Sequence, residues 1–284
     1  MNLDAALAYA ERHQLDALIA LRGREVVLER YGAGWNAARP HPLYSGTKSF
    51  WGVLAVLAER EGLLALDEPV GATIADWAAD AVKRRVTLRE LLQLTSGIGF
   101  GGLGSAVPTY EKALAVVLKD PPGAKFTYGG IPLQVFGAVL ARKLEARGRT
   151  PHAYLRERLL DPIGLQIGSW RTLRDGTQPL PTGAFVAAGE WLKYGQLVRD
   201  GGDRNGTSIV PRDALAACFV GSAANPRYGL AWWLSPLEQR PDIVYASGAG
   251  GQALYVLPAD DLVVVKYGRS NSYDHAAFLR RLTG

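Results

Sequence analysis

The strand-like segments of this chain lie at its two ends and the helix-like segments between them, and that distribution narrows the folds open to it. Leu3 to Arg12 carries apolar residues at 3, 6, 7 and 10, a helical spacing. Leu15–Arg22 and Glu25–Tyr31 flank a Gly23-Arg24 break and read as a β-hairpin. Residues 32–44 contain Gly, Pro and Asn and read as a loop that ends at Ser45, just before an apolar helix starting near Lys48 and running to about Gly62. From there to about residue 200 the pattern is mostly helices joined by Gly/Pro loops. Thr87 and Glu90 form a capping box with Gly97 where that helix should end, and further helices are expected over Pro132–Arg147 and Pro151–Leu160. The last third holds short strands at Tyr228–Leu234, Ile243–Ala246, Gln252–Leu257 and Leu262–Tyr267, then a helix from about Asp274. This order predicts an α+β fold. One antiparallel sheet with flanking helices is built from both chain ends (1–44 and 205–284), and 45–204 forms a mainly helical lobe, so the N-terminal hairpin must pair beside C-terminal strands.

With 284 residues, 48% of them hydrophobic, the chain can bury a large core. Its 32 basic and 27 acidic residues are interspersed, and the densest cluster, Lys83-Arg84-Arg85, reads as a solvated helix end rather than a nucleic-acid contact. The single cysteine, Cys218, excludes an intrachain disulfide, and its apolar surroundings mark a buried structural thiol. Four scattered histidines without a His-Glu-x-x-His spacing give a metal hydrolase no support. The longest apolar run, Phe50–Leu66, is broken by Glu59, Arg60 and Glu61, so no membrane span is expected. The first residues lack a basic region followed by an apolar one, but a removed export signal would leave the same sequence, and the compartment stays open.

Gly97-Ile-Gly-Phe-Gly-Gly102 satisfies G-x-G-x-x-G but follows a helix rather than a strand, so it is expected to cap that helix, not to hold a nucleotide. No G-x-S-x-G occurs, which removes the nucleophile elbow of the α/β-hydrolases. Ser45-Gly-Thr-Lys48 is the only Ser-x-x-Lys. At the start of a helix, side chains at i and i+3 share a face, so Lys48 can reach Ser45. To serve as a base at neutral pH the amine must lose about three units from about 10.4, on the order of 4 kcal/mol, which burial against Phe50 or Trp51 can supply. Tyr128 sits in a loop after Pro121-Pro122-Gly123 and before the helix opened by Pro132, a place from which its hydroxyl can point into a cleft. Ala246-Ser247-Gly248-Ala249-Gly250-Gly251-Gln252 joins two strands, where a backbone N–H can stabilise an oxyanion together with that of Ser45.

These pieces, in this order and spacing, resemble the serine β-lactamase-related hydrolases: class C β-lactamases, penicillin-binding proteins, D-aminopeptidases, family VIII carboxylesterases and nylon-oligomer (aminohexanoate-dimer) hydrolases. The likeness spans nearly the whole chain, through Leu43–Phe50, Thr87–Ile98, Pro122–Tyr128, Tyr228–Trp233, and Gly250–Pro258 with Asp261–Val265. It implies a cofactor- and metal-independent acyl-enzyme hydrolase acting on a small ester or amide, without a nucleic-acid partner. Ser45 would be the nucleophile, Lys48 its base, Tyr128 the second proton carrier, and the Ser45 and Ala249 N–H groups the oxyanion donors. Tyr44, Ser247 and Gly248 would line the substrate site, and Gln252 would be structural; His275, beside Asp274 at the start of the last helix, is placed either at the rim of the site or, as the better reading of its position, in a capping or surface role. Trp191 is a candidate wall or core residue, and of Trp232 and Trp233 one ring should face the core and the other a lobe interface.

Two positions depart from the family pattern. Gly130 stands where Tyr-x-Asn carries its carboxamide, and Ala246 stands where the third motif carries a Lys or His. Both losses favour an esterase or small amidase over a weak β-lactamase or a D-amino-acid-specific peptidase; a non-catalytic binding member of the same fold is the remaining alternative. Specificity is expected to lie in the loops 98–110 and 165–185.

Overall fold

The computed structural model describes residues 1–284. The hairpin of β1 (Leu15–Arg22) and β2 (Glu25–Tyr31) extends a sheet completed by β3 (Trp233–Leu234), β4 (Val244–Gly248), β5 (Gln252–Leu257) and β6 (Leu262–Gly268). The six strands run in the order β2-β1-β6-β5-β4-β3, each pair antiparallel. The N-terminal hairpin thus pairs with a C-terminal strand, Leu21 opposite Val263 and Leu18 opposite Lys266.

Strand alternation divides the sheet between two cores. Ala17, Ile19, Ala246, Leu254 and Val265 face the helical part of the molecule, while Leu18, Ala20, Tyr245, Ala253 and Tyr255 face the terminal helices α1 (Leu3–Arg12) and α5 (His275–Thr283). Between sheet and helical lobe runs α2 (Lys48–Arg60), buried from Lys48 through Ala58. A helix that is apolar on every side belongs at the centre of a domain, and this one carries the Ser-x-x-Lys lysine there. Also helical are α3 (Ile131–Glu145) and α4 (Ala188–Arg199). Helix α4 comes from the segment expected to form the helical lobe, yet it lies on the sheet. Gly195 permits this, since a Cβ there would stand 2.3 Å from Val263 Cγ1. The Tyr194 hydroxyl and the Trp232 indole N–H both donate to the Ser49 carbonyl (2.8 and 3.2 Å), tying the first turn of α2 to α4 and to the approach to β3.

The structure corrects three expected elements. The helix capped by Thr87 spans only Leu88–Leu92, because Leu94 takes φ +58° and turns the chain; Gly97 is therefore not its cap. The expected strand over Tyr228–Leu234 shrinks to Trp233–Leu234, because Ala231 adopts φ +59° and donates its N–H to the Leu92 carbonyl of the helical lobe. Pro151–Leu160 starts as a helix, then widens to a π turn at Arg156–Leu160. The Thr87/Glu90 capping box itself is formed in both directions. Thr87→Ala is expected to cost about 1 kcal/mol, measured as a lower urea midpoint at unchanged m-value.

Candidate active site

Ser45 stands in a tight turn, Tyr44–Thr47, that leads directly into α2. Tyr44, just before it, is held at φ +47°, a left-handed conformation costly for a residue with a side chain. Such strain persists only where neighbours impose it. Here Trp191 packs beneath the turn so closely that a Cβ on Gly46 would stand 2.9 Å from its ring. Trp191 is thus the fully buried floor of the turn, not a pocket wall.

The Lys48 ammonium or amine lies 2.9 Å from Ser45 Oγ and 3.3 Å from the Pro181 carbonyl, and the side chain is 1% exposed. Burial lowers its pKa to about 7 with no carboxylate nearby to oppose it. The Pro181 carbonyl is held by a series of buried donors to the carbonyls before it. Tyr110 bonds Gln178, Trp170 bonds Pro179, and Trp51 bonds Leu180 at 2.7 Å. Gln134 adds a bridge, accepting from the Leu180 N–H and donating to the Pro108 carbonyl. These aromatic and amide groups are scattered over four segments, which is why sequence reading did not assign them to the site.

Tyr128 presents its hydroxyl to the same serine. Burial raises its pKa to about 12, with the neighbouring Ser45 hydroxyl acting in the other direction. Its ring stacks on Trp233 (centroids 5.8 Å apart, 22°), meets Tyr228 edge-on, and has Lys48 Nζ 4.9 Å from its centre. Trp232 is buried in the core and Trp233 faces this wall, as the alternation of the pair implied.

At the other side of the turn, the end of β4 presses against it: a Cβ on Gly248 would stand 2.1 Å from the Leu43 carbonyl oxygen. Ala249, the next residue, lines the same cavity as Ser45, and its N–H has no backbone acceptor. Gly250 and Gly251, at φ +77° and +78°, turn the chain into β5. Gln252, 1% exposed, clamps that turn by donating to the Ala249 and Gly268 carbonyls (2.8 and 2.6 Å) while accepting from the Gly268 N–H.

Ser45, Lys48 and Tyr128 open on a cavity of about 480 Å³. Tyr44, Ser247, Gly248 and Ala249 line it, and the loops 98–110 and 165–185 contribute Gly102–Gly104, Pro181 and Thr182. His275 does not line it; the imidazole reaches the cavity only through Ser247, whose Oγ is 2.8 Å from Nε2. Cys218 is fully buried, and burial pushes its thiol pKa up. No three His, Cys, Asp or Glu side chains converge in a geometry that would hold a metal ion, and no helix is long and apolar enough to cross a membrane.

Both departures from the family pattern have a steric basis. Gly130 crosses the Gly97–Gly102 run, so that a Cβ on it would stand 2.0 Å from the Gly102 carbonyl oxygen. Ala246 is 3% exposed within the core. Gly130→Asn is therefore expected to destabilise the protein by more than about 3 kcal/mol rather than to restore a substrate-binding amide, a result that thermal unfolding and a cephalosporin assay together would report.

The family model for Beta-lactamase matches residues 8–282, and the chain belongs to that family. Solved structures share the fold. A protein described as a 6-aminohexanoate-dimer hydrolase from Bacillus anthracis superposes with a TM-score of 0.82 at 18% identity, over 98% of this chain and 80% of that one. The hydrolase EstCE1, described as having promiscuous acyltransferase activity, gives 0.76 at 16% over 99% and 97%. A D-stereospecific amidohydrolase from Streptomyces sp. gives 0.74 at 16% over 97% of each chain. The expected fold class and superfamily are thereby established.

Proposed function

We propose that this protein is a serine hydrolase that cleaves a small ester or amide through an acyl-Ser45 intermediate. The observation that carries the reading is the 2.9 Å contact between Ser45 Oγ and a buried lysine whose pKa falls to about 7, a base poised near neutral pH. Neutral Lys48 takes the Ser45 proton as Oγ bonds to the substrate carbonyl carbon, and the oxygen that becomes negative is met by the Ser45 and Ala249 N–H groups. The bond to the leaving group then breaks, with the proton passed to it from Lys48 by way of the Tyr128 hydroxyl. Water repeats the sequence in reverse: it gives its proton to the same relay, attacks the acyl carbon, and returns Ser45 to its hydroxyl form. Tyr128, with a pKa near 12, stays protonated at neutral pH and so serves as donor and relay rather than as the first base.

The cavity size fits a small substrate. Gly130 and Ala246 leave it without the carboxamide and the cation that the resembled β-lactam and peptide enzymes use, which supports an ester or simple amide over those classes. Steady-state hydrolysis of 4-nitrophenyl acetate and butanoate, a matched anilide, a cephalosporin and a D-alanyl peptide tests the assignment. The expected order is esters first and anilide second, with little or no turnover of the other two. Preference for the cephalosporin or the peptide would transfer the assignment to that class, and a folded protein inert to all five would favour a binding role.

A further inference from the structure

Behind the cavity wall lies a chain of hydrogen-bonding groups that the proposed chemistry does not use. Ser247 Oγ is 2.8 Å from His275 Nε2, His275 Nδ1 is 2.6 Å from the Tyr255 hydroxyl, and that hydroxyl is 3.0 Å from the Tyr273 hydroxyl. Tyr255 and Tyr273 are buried, and only Ser247 reaches the cavity. Alternation in β4 gives the arrangement its origin: Ala246 faces the main core, while Ser247 shares the opposite face with Tyr245, toward α5, whose first residue is His275. Asp274, not His275, caps that helix, through the Ala277 N–H, which leaves the imidazole free to turn inward.

The two proton orders available to this chain are not equivalent. If Ser247 donated to His275, Nδ1–H would donate to Tyr255 and Tyr255 to Tyr273. The Tyr273 hydrogen would then be buried without an acceptor, because Tyr255 is the only hydrogen-bond partner of that hydroxyl. In the opposite order every hydrogen behind the wall has an acceptor: Tyr273 donates to Tyr255, Tyr255 to Nδ1, and Nε2–H to Ser247 Oγ, so that only the serine hydrogen is left over, at the cavity. Burial, with Lys266 as a further contribution, holds the pKa of His275 at about 4, so the ring is neutral and has one donor to give at neutral pH. Its other neighbours, Tyr245 and Tyr273, meet it through their ring faces and edges.

We infer that Ser247 is a one-way hydrogen-bond donor at the substrate site, oriented by His275, Tyr255 and Tyr273, and that it selects ester or amide substrates carrying a second, uncharged acceptor such as a ketone, ester or amide carbonyl. An uncharged acceptor fits better than a carboxylate because Ala246 brings no cation to this edge of the cavity. His275 and the two tyrosines are positioning residues, since only the serine meets the ligand. The inference rests on the hydrolase reading for its substrate class, but not for its proton order.

Two measurements separate those parts. Long-range proton–nitrogen correlation spectra of protein labelled at histidine nitrogen, with the signal assigned by its loss in His275→Asn, report the tautomer directly. Protonated Nε2 and bare Nδ1 are expected, with a shift toward the other tautomer in Tyr255→Phe; an Nδ1–H tautomer in the wild type overturns the inference whatever the enzyme hydrolyses. The second measurement is the ratio of kcat/KM for pairs of 4-nitrophenyl esters differing by one ketone oxygen, such as 4-oxopentanoate against pentanoate, with a parallel series carrying the ketone on the alcohol side. A preference of about 3- to 10-fold for the ketone is expected in one series, the scale of a single neutral hydrogen bond. It should be lost in Ser247→Ala and kept in Ser247→Thr. Equal ratios in wild type and Ser247→Ala in both series overturn the selectivity, and absence of hydrolysis of any ester overturns the hydrolase reading on which it rests.

Discussion

Replacing Ser45 with alanine is expected to reduce kcat for activated esters by on the order of 10⁴-fold or more while leaving the melting temperature within a few degrees of wild type. The size follows from the role: without its nucleophile a covalent hydrolase retains only what the oxyanion donors and binding contribute. The small structural effect follows from the site. Ser45 is partly exposed at a cavity mouth, and the strained Tyr44 backbone is imposed by Trp191, Leu43 and Gly248 rather than by the serine side chain. Parallel kinetics and thermal melts check both halves. Activity surviving in Ser45→Ala would place the chemistry elsewhere, and unfolding of the variant would turn the serine into a structural residue.

Lys48→Met should separate stability from activity even more sharply. Loss of the base is expected to lower kcat/KM by about 10²- to 10⁴-fold. In wild type, the pH profile of kcat/KM should rise through an apparent pKa of about 7, because neutral Lys48 is the active form and exists above that value. The unfolded chain keeps the Lys48 proton up to about 10.5, whereas the folded protein releases it at about 7. Between these values the folded state binds fewer protons, so this group makes stability increase as pH rises across that window and costs the fold on the order of 4 kcal/mol at pH 7. Methionine removes that cost and fills similar volume, but it leaves the Pro181 carbonyl unpaired, offsetting about 1–3 kcal/mol. A net gain of about 1–3 kcal/mol at pH 7 is expected, seen as a higher urea midpoint in an inactive variant. A destabilised Lys48→Met would mean that the lysine is charged and paired in the fold, which is incompatible with the proposed role as base.

The residues that were legible in the sequence share one property: their role follows from local spacing. Ser45 and Lys48 are i and i+3 at a helix start, Thr87 and Glu90 are i and i+3 in a capping box, and Gln252–Leu257 is a continuous strand. Periodicity also located both halves of the sheet, since residues that pair across it still alternate along their own strands. What failed depended on distant partners. Ala231 leaves the strand pattern because its N–H finds the Leu92 carbonyl, more than a hundred residues away in sequence, and Gly97 looked like a cap because nothing nearby signals the turn at Leu94. The support of Lys48 through Pro181 was invisible for the same reason: Trp51, Gln134 and Trp170 are ordinary core residues in sequence and become position-setting only when they meet the 178–181 backbone. His275 shows a mixed case, in which a residue placed near the cleft rim by its position in the chain turns out to stand behind Ser247, one hydrogen bond from the cavity.

Covalent chemistry at Ser45 is read out by intact-mass spectrometry of the wild-type protein and Ser45→Ala after brief exposure to an activated ester and to a fluorophosphonate. A single added acyl or phosphonyl group is expected in wild type, mapped by peptide fragmentation to Ser45, and none in the variant. An adduct of equal yield in Ser45→Ala, or a folded wild type that both probes leave unlabelled, would contradict the proposed acyl-Ser45 intermediate.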